Sequence, residues 1–307
     1  MKIMFMGTPD FAQVNLQRLV ECGHEVCCAV SQPDKPHGRK MELLMPPVKE
    51  YALSKDIPVY QPETLKDGAF TEVLEKYQPE VIVVVAYGKL LPKYVLNFPK
   101  YGCINVHGSL LPKYRGSAPV QWSVINGDKQ AGVTTMYMNE GMDTGDILLQ
   151  KAFDIKYHET SGMLMERMAD IGAELLVETL DKLEKGQVKP VPQKEEEATK
   201  APMLTKELGK INWTDSADKI ENLVYGLQPW PTAFFETEKG MVKVFETRII
   251  KENSGFEPGC VTAADNTLVI QTGNGQLEIT QLQLQGKKRM AAADFLRGNK
   301  FERGQTL

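Results

Sequence analysis

The sequence has few cysteines, no long apolar run and no dinucleotide fingerprint, and each absence excludes a class of protein. Its five cysteines form no Cys-x-x-Cys pair, so we expect neither a disulfide framework nor a zinc site. The longest apolar run, from Val81 to Ala86, is too short to cross a bilayer, and no signal peptide follows Met1. Gly7-Thr8-Pro9 lacks the GxGxxG pattern, which argues against a nicotinamide dehydrogenase. We therefore expect a cytoplasmic protein with no metal and no membrane segment.

An excess of positive charge is also missing, since 36 Lys and Arg stand against 40 Asp and Glu, a net charge of −4. A protein that binds nucleic acid indiscriminately is usually basic. Any nucleic-acid partner must therefore be bound by local positive patches. What the chain does have is an ordinary globular composition, with 42% hydrophobic and 25% charged residues. Its length of 307 residues fits two domains.

Strand and helix patterns alternate through the first half of the chain. The predicted strands cover residues 2–6, 25–31, 58–60, 81–87, 103–107, 133–138 and 147–155. The predicted helices cover residues 10–22, 46–54, 68–77, 118–125 and 160–185. Asp10 is expected to cap the first helix, and Met163, Met168 and Leu175 of the last helix are expected to lie in the core. This alternation predicts an α/β fold with a Rossmann-like, doubly wound, mostly parallel sheet, whose ligands bind at the carboxyl ends of the strands.

The composition changes after the long helix. Residues 187–206 contain prolines and a charge run without apolar periodicity, which indicates a linker. A short helix at 216–225 then precedes five short alternating segments, separated by turn residues, and this pattern is typical of a small β-barrel. We therefore predict a domain of residues 1–186, a linker of residues 187–206 and a barrel domain of residues 207–307.

Two polar side chains at the end of one predicted strand suggest catalysis. Asn105 and His107 are two residues apart, so an extended strand projects both to the same face. An amide that can donate to an oxyanion, beside a base that titrates near neutrality, suits acyl transfer. Asp143, followed by Thr-Gly, is a candidate to orient the imidazole. Alone, each of these residues could equally cap a loop or a turn. The combination favours a catalytic site.

The combination resembles the signature of the 10-formyltetrahydrofolate-dependent formyltransferases. In that family an Asn-x-His is followed by Ser-Leu-Leu-Pro, here residues 109–112, and by an Asp flanked by Gly and Thr-Gly. Other stretches resemble the branch of the family that acts on methionyl-tRNA, and the resemblance covers nearly the whole chain. These stretches are residues 3–11 (IMFMGTPDF), 32–36 (QPDKP), 84–88 (VVAYG) and 227–232 (LQPWPT).

The resemblance implies the reaction and the roles of the site residues. The co-substrate would be 10-formyltetrahydrofolate, and the acceptor would be the amino group of methionyl-initiator tRNA. The product would be formylmethionyl-tRNA for translation initiation. Asn105 would polarise the formyl oxygen, His107 would assist proton transfer and Asp143 would orient the ring. The second domain would be an OB-like barrel that binds tRNA. The residues expected to contact the folate are Ser109, Leu110, Leu111, Pro112, Tyr87, Gly88 and Leu90, with a cis bond between Leu111 and Pro112.

Two basic regions are expected to contact the tRNA. The first is the loop that carries Lys35, Arg39 and Lys40. Relatives usually read Gly-Arg-Gly-Lys-Lys here, whereas residues 38–42 of this chain read Gly-Arg-Lys-Met-Glu, so the resemblance supports Arg39 more than Lys40. The second region contains Lys287, Lys288 and Arg289. A solvated basic surface would have the same composition in both places.

Several alternatives remain open at this point. Within the same chemistry the acceptor could be glycinamide ribonucleotide or a sugar nucleotide, although the first kind of enzyme usually lacks the second domain. The second kind is not expected to carry Leu-Gln-Pro-Trp-Pro-Thr at residues 227–232. From a different class, the chain could be a folate- or RNA-binding module without catalytic activity, but such a module has no need of Asn105, His107 and Asp143 together. We expect a monomer, since no exposed apolar stripe is evident.

Overall fold

The computed structural model describes residues 1–37 and 42–307. The chain divides into two compact units. The first unit contains Met1–Gly116, Ala131–Phe153 and Met165–Lys200, and the second unit contains Ser117–Gln130, Asp154–Leu164 and Ala201–Leu307. The division predicted from the sequence, with a linker over residues 187–206, stays a prediction.

The described chain contains the seven strands and five helices predicted for its first part, and it adds three short strands and one short helix that were not predicted. The strands are β1 (Lys2–Gly7), β2 (Glu25–Val30), β3 (Lys35–His37), β4 (Glu42–Leu44), β5 (Val59–Tyr60), β6 (Val81–Val85), β7 (Cys103–His107), β8 (Arg115–Gly116), β9 (Gln130–Tyr137) and β10 (Ile147–Asp154). The helices are α1 (Asp10–Glu21), α2 (Pro47–Ser54), α3 (Thr71–Tyr77), α4 (Lys93–Leu96), α5 (Pro119–Ile125) and α6 (Ser161–Glu184). The elements that were not predicted are β3, β4, β8 and α4.

A seven-stranded sheet forms the centre of the first unit, in the order β10-β9-β7-β6-β1-β2-β5. Neighbours from β5 to β7 pair in parallel, and β9 pairs antiparallel to β7, which confirms the predicted mostly parallel, doubly wound sheet. All five residues of β6 are buried, as expected for a strand whose two faces are both covered. Because β6 and β7 are parallel, Val85 and His107 end at the same edge of the sheet.

Two details of the predicted helices were wrong. Pro9 occupies the N-cap position of α1, and Asp10 lies inside the first turn, where its carboxylate meets the positive end of the helix dipole. Met163 is 56% exposed rather than buried, because it lies in the first turn of α6. Met168 and Leu175 are buried as predicted. Thr160 caps α6, since its hydroxyl accepts a hydrogen bond from the Met163 amide.

The remaining elements follow α6. They are β11 (Lys200–Ala201), α7 (Ala217–Gly226), β12 (Ala233–Thr237), β13 (Gly240–Ile250), β14 (Val261–Ala263), β15 (Leu268–Gln271), β16 (Gln276–Leu284), β17 (Met290–Ala291) and α8 (Ala292–Leu296), with 3-10 turns at Glu195–Glu197 and Glu207–Gly209. An antiparallel sheet in the order β12-β13-β16-β15-β14, with β17 beside β16, curls into a half-barrel. Register shifts in β13 around Glu246 contribute to the curl, because a bulge bends and twists its strand.

This half-barrel matches the small barrel predicted from the sequence. All five predicted strands are present, and β17 and α8 were not predicted. On β16, Leu277, Ile279 and Leu282 face the core, and glutamines occupy intervening positions. Across residues 1–37 and 42–307, no helix has the length and apolar character to span a membrane.

Candidate active site

Asn105 lies in β7 with its amide directed at the neighbouring strand. Its Nδ2 donates a hydrogen bond to the Val84 carbonyl oxygen at 3.0 Å. One of the two Nδ2 hydrogens is thus used, and the other remains for a ligand. The Oδ1 atom is buried and has no hydrogen-bond partner among the described residues. A buried side-chain oxygen without a hydrogen-bond partner is unusual in a folded protein.

His107 ends β7 and is held between two acceptors. Its ring is buried, with Nε2 located 2.9 Å from the Tyr114 carbonyl oxygen. A carbonyl only accepts, so Nε2 carries the proton of this hydrogen bond. On the other side, Nδ1 lies 3.7 Å from Oδ2 of Asp143. This separation exceeds a hydrogen bond, so Nδ1 is engaged less firmly than Nε2.

Asp143 reaches the imidazole from a loop that follows β9. Its backbone is left-handed, with φ of 55°, a conformation that non-glycine residues seldom adopt. The Oδ2 atom also accepts a hydrogen bond from the Gly116 amide at 2.8 Å. Gly145 follows two residues later, and any larger residue there would collide with the Tyr137 carbonyl oxygen. The structure therefore brings Asp143 and His107 together, as the sequence pattern suggested.

Gln193 is a site residue that the sequence analysis missed. Its Nε2 donates to the carbonyl oxygens of Asp143 and Gly145 at 2.9 and 2.7 Å. Its Oε1 accepts from Nε of Arg115 at 3.0 Å, and Nη1 of Arg115 contacts both carboxylate oxygens of Glu195. Gln193 lies in the segment predicted as a linker, and nothing in its local sequence distinguishes it from a solvated residue.

The loop after β7 folds on itself through polar contacts. Ser109 uses its hydroxyl to donate to the Lys113 carbonyl oxygen at 2.6 Å, and its own carbonyl oxygen accepts from the Thr134 hydroxyl at 2.6 Å. The Thr134 hydroxyl oxygen also accepts from the Leu111 amide at 3.2 Å. Leu111 is buried, and its bond to Pro112 is cis, as predicted. These contacts fix the shape of the Ser109–Pro112 loop beside His107.

The other candidate folate residues differ in what they expose. Leu110 is half-buried, and Leu90 is 66% exposed. Tyr87 is buried in the core, where burial raises the pKa of its phenol to about 12, and its carbonyl oxygen accepts from Nε2 of Gln32 at 3.0 Å. Gly88 has a φ of 81°, which only glycine adopts freely. Of these residues, Leu90 offers the most side-chain surface to a ligand.

The first basic region lies only partly within the described structure. Lys35 is exposed on β3, whereas Arg39 and Lys40 lie outside the described residues. The chain enters this region at Asp34 and leaves it before Lys49, and Nζ of Lys49 lies 2.7 Å from Oδ2 of Asp34. The hydrogen bond from Lys49 lowers the pKa of the Asp34 carboxyl below its usual range. This ion pair ties the two ends of the loop together.

The second basic region lies on the half-barrel after β16. Lys287 and Lys288 are exposed, and within the described chain neither forms an ion pair. Arg289 differs, because its Nη2 lies 2.5 Å from Oε1 of Glu246 and its guanidinium covers the Phe245 ring at 4.7 Å. Lys287 and Lys288 are therefore more available than Arg289 to a phosphate.

Metal chemistry is not indicated by the donor set. No group of three or more His, Cys, Asp or Glu in the described residues is arranged to hold a metal ion. Among residues 1–37 and 42–307, His107 and Asp143 form a pair without a third ligating side chain. The arrangement of amide, imidazole and carboxylate can instead stabilise an oxyanion and move a proton.

Comparison with known proteins identifies sequence relatives over the whole chain. The family described as "Formyl transferase" matches residues 1–180, and "Formyl transferase, C-terminal domain" matches residues 203–300. The methionyl-tRNA formyltransferase of Lachnospira eligens is 48% identical over 313 residues, covering 100% of this chain and 99% of the relative. That of Caldanaerobacter subterraneus subsp. tengcongensis is 45% identical over 308 residues, covering 100% of both chains.

Solved structures of lower identity share the fold. An N-formyltransferase from Helicobacter canadensis, in complex with folinic acid and dTDP-3-aminofucose, has a TM-score of 0.70 at 18% identity and covers 94% of this chain and 100% of its own. HypX from Aquifex aeolicus, in complex with tetrahydrofolic acid, has a TM-score of 0.61 at 21% identity over 96% of this chain and 46% of its own. At such identities the likeness concerns the fold alone.

Proposed function

This chain belongs to the formyl transferase family, and we propose that it transfers the formyl group of 10-formyltetrahydrofolate to the amino group of methionyl-initiator tRNA. The observation that carries the proposal is the identity of 45–48% to methionyl-tRNA formyltransferases over the full length of the chain. This identity includes the half-barrel, so it concerns the second unit as well as the catalytic one.

The reaction needs an oxyanion donor and a proton carrier. The methionyl amino nitrogen attacks the formyl carbon, and the formyl oxygen becomes an oxyanion in a tetrahedral intermediate. The bond from this carbon to N10 of the folate then breaks, N10 receives a proton, and the amine loses one. The products are formylmethionyl-tRNA and tetrahydrofolate. In our proposal the free Nδ2 hydrogen of Asn105 donates to the oxyanion, and the loss of such a donor costs about 3 kcal/mol in other enzymes.

His107 is the proton carrier in this proposal. We assign proton transfer to Nδ1, because Nε2 is committed to the Tyr114 carbonyl oxygen at 2.9 Å whereas the Nδ1 contact to Asp143 is 3.7 Å. The Asp143 carboxylate stabilises the ring while it is charged, and the Gly116 amide holds the carboxylate in place. General acid–base catalysis of this kind contributes about 10²- to 10⁴-fold to a rate.

The folate is proposed to bind against the loop of residues 109–112 and against Tyr87, Gly88 and Leu90. Leu90 supports this assignment because its apolar side chain is exposed. Gly88 supports it because glycine has no Cβ, so a ligand can approach its main chain closely. Tyr87 has a role only through its main chain, since its side chain lies in the core.

The tRNA is proposed to contact Lys35, Arg39 and Lys40 in one region and Lys287, Lys288 and Arg289 in the other. Lys287 and Lys288 support the second region, because they are exposed and form no ion pair with any described residue, which suits contacts with phosphates. We further propose that the protein acts as a monomer in the cytoplasm, where translation begins.

The proposal is tested by the choice of acceptor. Purified protein is incubated with 10-formyltetrahydrofolate and one of four acceptors: methionyl-initiator tRNA, methionyl-elongator tRNA, glycinamide ribonucleotide or an amino-sugar nucleotide. We expect rapid formylation of methionyl-initiator tRNA and little product with the other three. Faster formylation of glycinamide ribonucleotide or of the sugar nucleotide would overturn the proposal, and no transfer to any acceptor would favour a binding module.

A further inference from the structure

One short segment of the first unit contacts both groups that face the imidazole of His107. The segment runs from Gln193 to Thr199, and we refer to it as the brace. The His107 ring faces Asp143 on one side and the Tyr114 carbonyl oxygen on the other. The brace reaches each of these partners through direct hydrogen bonds, although it lies about 50 residues beyond the first and about 80 beyond the second in sequence.

On the Asp143 side, the contact is a fork made by Gln193. Both hydrogens of its Nε2 group are donated, one to the Asp143 carbonyl oxygen and one to the Gly145 carbonyl oxygen. The left-handed backbone of Asp143 is intrinsically unfavourable, so it persists only where surrounding contacts hold it. Gln193 is held in turn by Arg115, whose guanidinium also contacts the Glu195 carboxylate.

On the Tyr114 side, the contacts come from Thr199. Its hydroxyl oxygen accepts from the Tyr114 amide at 2.8 Å, and its carbonyl oxygen accepts from the Arg115 amide at 2.8 Å. The Thr199 amide donates to the Pro112 carbonyl oxygen at 3.3 Å. These contacts fix the peptide whose carbonyl oxygen receives the Nε2 hydrogen bond of His107.

We propose that Gln193 and Thr199 are positioning residues that hold Asp143 and the Tyr114 carbonyl in the geometry that the His107 ring requires. The inference rests on the catalytic role assigned to His107 in the proposed function. Neither residue contacts the reacting atoms. They act on turnover because a displacement of about 1 Å in a catalytic group costs up to about 10²-fold in rate.

The test is a double-mutant cycle of Gln193→Ala and Asp143→Asn, with kcat and both Michaelis constants measured for methionyl-tRNA formylation. We expect Gln193→Ala alone to lower kcat by about 10-fold or more, with each KM within about 3-fold of wild type. In the Asp143→Asn background the same substitution should lower kcat by less than about 3-fold, because the group that it positions has already lost its charge. Gln187→Ala, in an exposed residue outside the brace, is the matched control and should leave kcat unchanged.

A second pair of variants keeps the proposal testable if Gln193→Ala does not fold. Thr199→Val removes only the hydroxyl, and Thr199→Ser retains it. We expect a lower kcat in the first and recovery in the second, with similar melting temperatures. Equal losses from Gln193→Ala in both backgrounds, or no loss from Gln193→Ala or Thr199→Val, would overturn the inference. The acceptor used by the wild-type protein separates the two proposals. If the wild type formylates another acceptor instead of methionyl-tRNA, the proposed function fails, and the double-mutant cycle is then measured with that other acceptor.

Discussion

Nδ1 of His107 and Oδ2 of Asp143 face each other across 3.7 Å, and they come from the ends of two different strands. β7 carries the ring, and the loop after β9 carries the carboxylate. Because β9 runs antiparallel to β7, β9 ends beside Ile104, near the start of β7 and away from His107. Asp143 can therefore approach the imidazole only because the loop after β9 turns back toward the end of β7. The Gly116 amide and the Gln193 side chain both hold the loop in that position.

Replacement of either member of this pair should reduce turnover far more than folate binding. We expect His107→Ala and Asp143→Ala each to lower kcat by at least about 10²-fold, because both act on proton transfer. Folate affinity should stay within a few-fold of wild type. Single-turnover formylation and equilibrium folate binding measure the two quantities separately.

A matched control for this prediction is available in the same unit. Nε2 of His24 lies 4.0 Å from Oδ1 of Asp181, in an imidazole–carboxylate contact similar to that of His107 and Asp143. Neither His24 nor Asp181 is a residue of the candidate site. His24→Ala and Asp181→Ala should therefore leave kcat near the wild-type value. Near-normal turnover in His107→Ala or Asp143→Ala would contradict the catalytic assignment.

Asn105 tests the oxyanion step with an almost isosteric change. Asn105→Asp replaces the donor by a carboxylate, which repels both the oxyanion and the Val84 carbonyl oxygen. We expect kcat to fall by about 10²-fold, equivalent to about 3 kcal/mol of transition-state stabilisation. Comparison with Asn105→Ala separates the effects, because alanine removes the donor without adding charge. A larger kcat in Asn105→Asp than in Asn105→Ala would contradict an oxyanion role.

The sequence predicted the sheet and the strand end that carries Asn105 and His107, because both depend on local signals. The unbroken apolar run of β6 indicates a strand that is buried on both faces, and the shared face of Asn105 and His107 follows from the two-residue period of a strand. The meeting of His107 with Asp143 was expected from the rule that ligand-binding residues gather at the carboxyl ends of parallel strands. The pair is present, but for another reason, because β9 is antiparallel to β7 and Asp143 reaches the ring through the loop after β9. The half-barrel was predicted for the same reason, since turn residues separate its alternating strands.

The brace could not be predicted, because its role depends on contacts distant in sequence. Gln193 and Thr199 lie among prolines and charges, a composition typical of solvated linkers. Their partners are main-chain groups of Asp143, Gly145 and Tyr114. Every residue has the same main-chain carbonyl group, and nearly every residue has the same amide, so the sequence does not indicate which of them is a partner. The exposure of Met163 was missed for a related reason, since an apolar residue in a first helical turn has the same pattern whether or not anything covers it.

The first basic region can be tested through Arg39, although it lies outside the described residues. If Arg39 contacts the acceptor end of the tRNA, Arg39→Ala should raise KM for tRNA by about 10- to 10²-fold and leave KM for folate unchanged, because a lost charge-assisted contact is worth about 1.5–3 kcal/mol. Lys40→Ala should have the smaller effect. Equal changes in the two Michaelis constants would contradict a tRNA contact.

The second basic region can be tested by charge reversal. Lys287→Glu and Lys288→Glu should each raise KM for tRNA and reduce the slope of log KM against log salt by about one unit for each lost phosphate contact. Arg289→Glu should also disturb the half-barrel, because Arg289 is paired with Glu246. The control is Lys182→Glu on α6, which reverses a half-exposed lysine that is paired with Glu178. A shift of the same size in the control would indicate a general charge effect instead of a binding surface.

The ion pair at the base of the first basic loop predicts a pH-dependent contribution to stability. Lys49 and Gln61 each donate to the Asp34 carboxylate at 2.7 Å, and these bonds lower its pKa below the usual value of about 3.9. A lowered folded-state pKa stabilises the protein above the unfolded-state pKa, and the contribution is lost as the pH falls through the folded value. Wild type should therefore exceed Asp34→Asn in unfolding free energy by a constant amount from pH 7 to about pH 5, and the difference should shrink below about pH 4.

Urea denaturation of both proteins at pH 7, 5 and 3.5 measures this difference directly. Glu178→Gln is the matched control, because Glu178 pairs with Lys182 on the exposed surface of α6, where such a pair contributes at most about 0.5 kcal/mol. The control should show little difference from wild type at any of the three pH values. A difference between wild type and Asp34→Asn that stays unchanged down to pH 3.5 would mean that the effect of Asp34 comes from hydrogen bonding that asparagine cannot reproduce, and not from its charge.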